Sequence, residues 1–148
     1  MYRFRAAAVA LGACLVVLPA AALAGTAKPK HGYFIDPKLQ VYVVVGTSRT
    51  SLTSFQAPCL VKGTTGELTQ QGGFTLPKSK HPKISAAGKF TYAGNVTLQT
   101  GSKYVTKVNV SGTFANGKVT GVVTFPDSKV LCAPVKYTGT YYGVNPQG

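Results

Sequence analysis

The sequence predicts an all-β chain: a single antiparallel β-sandwich of about eight strands, with a closed β-barrel as the alternative. Three observations carry this. No stretch after Gly25 repeats apolar residues at the helical interval of about 3.6 residues. β-Branched and aromatic residues instead alternate with Thr, Ser and Lys, and Gly or Pro punctuates the runs. One hairpin can also be put in register from the sequence alone.

The chain begins with an expected export signal. Arg3 and Arg5 form a charged start, residues 6–18 an apolar run, and Pro19 breaks it ahead of Ala22-Leu23-Ala24. Small residues at Ala22 and Ala24 fit the pattern cleaved by signal peptidase, so residues 1–24 are read as a signal peptide cut after Ala24. A retained membrane span is disfavoured by Pro19. A lipoprotein site at Cys14 is disfavoured by the apolar residues that continue beyond it. The expected location is secreted or otherwise extracytoplasmic, with no transmembrane span after cleavage. Residues 25–32 are then a flexible mature N-terminus, 33–142 the β domain and 143–148 a tail.

Cleavage changes the totals. Cys59 and Cys132 remain, and in an oxidising compartment an isolated pair is most simply one disulfide. It would close a loop of about 74 residues, which stabilises by roughly 4 kcal/mol in the chain-entropy model. Two thiols without neighbouring Cys or His make a poor zinc set, and no metal or cofactor is expected. Fourteen Lys and Arg remain against Asp36, Glu67 and Asp127. That balance implies either a solubilising surface or attraction to an anionic envelope polymer or lipid headgroups. Thirteen of the fourteen are Lys, which lacks the planar fork of Arg, so sequence-specific nucleic-acid reading is not expected.

Strands are predicted over 39–45, 58–62, 73–76, 89–93, 95–99, 103–114, 118–125 and 130–142, the last broken near Pro134. Turn signals stand at 63–66, 100–102, 116–117 and 126–128. Asn116-Gly117 suits a two-residue type I′ turn. That register pairs Phe114 with Val119, Val110 with Val123 and Val108 with Phe125, all on one face, with Thr113–Thr120 and Asn109–Thr124 on the other. A slip of one residue would destroy the sorting. The register also sets Gly112 opposite Gly121, a bare spot that an aromatic ring is expected to fill. Gly-x-aromatic recurs at Gly88, Gly112 and Gly139, read as sheet-building chemistry rather than a repeat.

Catalytic chemistry finds few candidates. The three carboxylates are far apart and each stands in or beside a turn. His31 and His81 could serve a Ser nucleophile assembled from a distance, but no nucleophile-elbow motif occurs. The chain is therefore read as a non-enzyme, with a hydrolase as a minor alternative. The densest basic segment is 78–83, so Lys78, Lys80 and Lys83 are the candidate anion-binding residues. Tyr92, Tyr104, Tyr137, Tyr141 and Tyr142 are candidate exposed rings, able to stack on sugars or to pair across strands.

From about Tyr33 the chain resembles a loose group of small secreted all-β proteins of actinobacteria. The features that carry this are the alternating run 39–45, Cys59 after a polar segment, and Gly88-Lys89-Phe90-Thr91-Tyr92-Ala93-Gly94. They continue with Val110-Ser111-Gly112-Thr113-Phe114, then Thr120-Gly121 ahead of Cys132. Where that group ends on a strand Trp, this chain has Tyr137 or Tyr141. The resemblance implies export, a disulfide and a β fold, and it carries no established activity or site residues. The expected function is a non-enzymatic secreted or envelope-associated binding module, with an anionic ligand as its partner class. A secreted protein-interaction or inhibitor scaffold is the alternative. Oligomeric state is not specified by these features.

Overall fold

The computed structural model describes residues 28–100 and 102–145, so the expected signal peptide lies outside the described residues. Eight antiparallel strands follow in chain order: β1 Gly32–Asp36, β2 Val41–Val45, β3 Leu52–Lys62, β4 Leu68–Thr75, β5 Lys89–Thr100, β6 Ser102–Ala115, β7 Lys118–Thr124 and β8 Val135–Gly143. Each strand pairs with the next, and β8 pairs back onto β1. The all-β antiparallel fold is thus as expected, and its walls belong to one sheet closed into an uneven ring. The unevenness is large. β5 and β6 share twelve paired positions, whereas β4 meets β5 only at Gly73↔Gln99. Among the described residues no helix is long and apolar enough to cross a membrane.

The Asn116-Gly117 hairpin has the predicted register, with Phe114 opposite Val119, Val110 opposite Val123 and Gly112 opposite Gly121. Both turn residues take positive φ, 50° and 72°, which is the conformation the type I′ turn requires. The bare glycine pair is filled from both neighbouring strands. A Cβ on Gly112 would collide with the Phe90 ring, and one on Gly121 with the Tyr137 ring. Tyr137 lies fully buried there and donates its hydroxyl hydrogen to the Ser111 carbonyl at 2.9 Å.

Several boundaries differ from expectation, each for a local reason. The runs predicted at 89–93 and 95–99 are one strand, because Gly94 leaves room for the Tyr92 side chain, whose hydroxyl reaches the Asn95 carbonyl at 2.9 Å. β1 was not expected. Its Asp36 looks like a turn residue but is buried, accepting from the Leu39 and Thr138 amides at 3.1 and 2.9 Å. β3 starts at Leu52, where polar Thr53 and Gln56 stand outside while Leu52 and Phe55 point inward. β4 starts at Leu68, five residues before the predicted run, through residues exposed on both faces. β8 starts at Val135, and Cys132 instead bridges Val61.

Inside the ring, Phe34, Phe55, Phe90, Phe114 and Tyr137 form a connected aromatic core, with Phe34 and Phe114 rings 5.0 Å apart edge to face. Burying each such side chain stabilises by about 1.5–3 kcal/mol. Cys59 and Cys132 are joined by the expected disulfide, with Cα atoms 5.1 Å apart.

Candidate functional site

Strict up-and-down order sorts the chain into two ends. β1, β3, β5 and β7 begin at one end, here called the mouth, and β2, β4, β6 and β8 finish there. At the mouth a cavity of about 770 Å³ opens. Its cations come from four separate segments. Lys28 and Lys30 lead into β1, Arg49 stands in the β2–β3 turn, Lys89 opens β5, and Lys118 follows the Asn116-Gly117 turn. Its apolar wall includes Pro29, Phe34 and Phe114, all buried members of the fold.

The mouth is held together by backbone contacts. Arg49 has left-handed φ of 59°, and its guanidinium donates from Nε to the Pro29 carbonyl at 2.6 Å and from Nη2 to the Lys28 carbonyl. That arrangement ties residues 28–29 to the β2–β3 turn at the mouth. Lys30 Nζ lies 5.0 Å from the centre of the Tyr141 ring, a cation–π distance, and Tyr141 donates to the His31 carbonyl at 3.0 Å. The Gly88 carbonyl receives the Phe114 amide at 2.9 Å, and the Gly117 carbonyl receives the Tyr141 amide at 3.0 Å, which fixes the rim.

The acidic side chains are confined to one end of the ring axis, whereas lysines stand at both. All three carboxylates belong to the far end: Asp36 ends β1, Glu67 lies between β3 and β4, and Asp127 follows β7. Each is engaged there. Asp36 holds backbone amides, Glu67 accepts from the Thr65 hydroxyl, which keeps its carboxyl below the usual range, and Asp127 accepts from the Lys129 amide at 2.9 Å. The mouth cations therefore have no carboxylate to offset them among the described residues.

Lys78, Lys80 and Lys83 share the mouth end of the ring, after β4, but they stand outside the cavity. Lys78–Lys80 form an exposed 3₁₀ turn, and Lys83, also exposed, itself bridges to Ser51 through an isolated β-bridge. His81 is half-buried in the same segment, and its pKa is lowered by burial and, to a lesser degree, by the charge on Lys78. His31 and His81 both lie at the mouth end, opposite Asp36, Glu67 and Asp127, in different segments. Of the five rings expected to be partly exposed, Tyr104 and Tyr142 are exposed and Tyr141 is half-buried. Tyr92 and Tyr137 are instead buried at 7% and 2%, because they cover the glycines described above. Burial pushes both phenols upward in pKa.

Sequence reasoning missed all five cavity cations. They are spread from Lys28 to Lys118, and only strand direction gathers them. The available signal was Lys118, which the predicted hairpin register already placed at a turn. Comparison with protein-family models, curated proteins and solved structures yields no match.

Proposed function

We propose that the protein is an exported, non-enzymatic binding module that takes an anionic amphiphile, an acidic headgroup with an apolar body, at the ring's mouth. The observation that carries this is the cavity with five cations on its rim and buried phenylalanines in its wall, at the end of the ring opposite Asp36, Glu67 and Asp127. Its volume of about 770 Å³ falls in the range of small-ligand sites. Uncompensated cations attract an acidic headgroup, and the exposed Ala87 and Ala115 of the lining, backed by buried Phe34 and Phe114, give its body an apolar wall. The placement of His31 and His81 at the end opposite Asp36, Glu67 and Asp127 favours binding over hydrolysis. The disulfide and the leader at residues 1–24 support an extracytoplasmic place of work.

The test is co-sedimentation of the mature protein with phosphatidylglycerol vesicles and with phosphatidylcholine vesicles at two salt concentrations. Binding should be selective for the anionic vesicles and fall with salt. At about 1 kcal/mol per cation near an anionic surface, Lys89→Ala with Lys118→Ala should weaken binding roughly 30-fold. Replacing Lys78, Lys80 and Lys83 together should have the smaller effect. The reverse ranking, or equal binding to both vesicle types, would reject the site.

A further inference from the structure

A second concavity, of about 340 Å³, lies on the outer wall toward the far end. Strand register builds it from two transverse rows. Tyr42, Gln56 and Thr75 stand side by side on β2, β3 and β4, and all three are exposed. Pro58, Gly73 and Gln99 form the adjoining row across β3, β4 and β5, at the single pairing that joins β4 to β5. Pro58 and Gly73 raise no long side chain, so they form a floor. Gln40 at the β1–β2 turn and Gln70 on β4 complete the sides.

Three properties of this groove point to a ligand class. No charged residue lines it, although the chain carries 16 Lys and Arg. Four carboxamides converge on it, and those of Gln40, Gln56 and Gln70 have no protein hydrogen-bond partner among the described residues. A carboxamide presents donors and acceptors together, which matches hydroxyl groups that are also both. Tyr42 adds a ring with an apolar face and a polar tip beside them, suited to the C–H face of a sugar. Gln40 moreover holds φ at 54°, a left-handed conformation in which Gly is less strained, so this amide is kept in place against backbone preference.

We propose that this groove binds a neutral saccharide, independently of the anionic site at the mouth. The experiment is a ¹H–¹⁵N NMR titration of the mature, oxidised protein with maltotriose and with chitotriose. A hexuronate trimer serves as the anionic comparison. Side-chain amide signals of Gln40, Gln56 and Gln70, and the backbone of Tyr42, should shift in a saturating manner with at least one neutral trimer. At about 10 mM sugar even a millimolar site is filled.

Tyr42→Val keeps a good strand former and should weaken binding at least about 10-fold. Gln40→Gly relieves the left-handed strain, so it should raise the melting temperature while weakening binding. Lys89→Ala with Lys118→Ala should leave the titration unchanged, which separates this site from the mouth. The proposal is overturned if neither neutral trimer moves these signals, if shifts fall elsewhere, if the hexuronate is preferred, or if Gln40→Gly is stabilised with affinity intact.

Discussion

Replacing Gly121 with Ala should be among the most damaging single-methyl additions available to this fold. A Cβ there would stand 2.6 Å from Tyr137 Cζ and would also meet the Ser111 carbonyl, so both the ring and a backbone strand must give way. Overpacking of this kind costs about 1–3 kcal/mol. Moving the phenol also breaks its 2.9 Å bond to Ser111 and leaves a buried donor and acceptor unmet, a further loss of about 1–3 kcal/mol. The sum is about 2–6 kcal/mol. For a domain of this size that lowers the melting temperature by roughly 8–24 °C. Urea unfolding followed by circular dichroism reads the loss directly. Tyr137→Phe alone should cost about 1–2 kcal/mol, and less in the Gly121→Ala background, because the bond is already broken there. The reasoning is refuted if Gly121→Ala costs under about 1 kcal/mol, or if the two changes add without a coupling of about 1 kcal/mol.

Three other perturbations have defined outcomes. Cys59→Ala with Cys132→Ala opens a loop with a sequence separation of 73 and should cost about 4 kcal/mol, measurable by the same urea assay. Asp36→Ala removes the acceptor shared by the Leu39 and Thr138 amides and should cost about 2–3 kcal/mol; an unchanged midpoint would contradict that role. His81 should titrate below 6.5 in the folded protein, by NMR. The unfolded chain then binds the proton more readily, so this contribution to stability is complete above pH 6.5 and is lost as pH falls toward the folded value. Lys78→Ala should raise the His81 midpoint only part of the way, since burial is the larger cause.

The elements legible in the sequence were those whose two faces differ chemically. The β6–β7 hairpin alternates Val and Phe with Thr and Asn, and a two-residue Asn-Gly turn specifies its register, so every opposite pair followed. β1 was illegible because its signals are small or misleading: a glycine at the start and a carboxylate at the end that belongs to a buried hydrogen-bond pair rather than a turn. The first half of β4 has no inward apolar residue to mark it. The candidate site was less legible for a different reason. A run such as Lys78–Lys83 is conspicuous in one dimension, whereas Lys30, Arg49, Lys89 and Lys118 become neighbours only when strand polarity is known. Tyr42 is illegible likewise, since of its Gln neighbours only Gln40 is near in sequence while Gln56, Gln70 and Gln99 come from other strands.

The position of the disulfide has a consequence for the order in which the ring assembles. Seven of the eight ladders join strands adjacent in sequence and can form locally, hairpin by hairpin. The eighth, β1 with β8, must bring Tyr33 to Gly143. Through the open chain that path is 110 residues, but Cys59–Cys132 shortens it to the 26 residues from Tyr33 to Cys59 and the 11 from Cys132 to Gly143. The loop-closure relation makes the shorter path easier by about 1 kcal/mol, roughly fivefold in the rate of a closure-limited step. The cross-link therefore acts on assembly as well as on stability: an oxidised chain should close its ring faster than a reduced one, and the ladder it favours is the one that joins β1, with the segment tied by Arg49 before it, to β8.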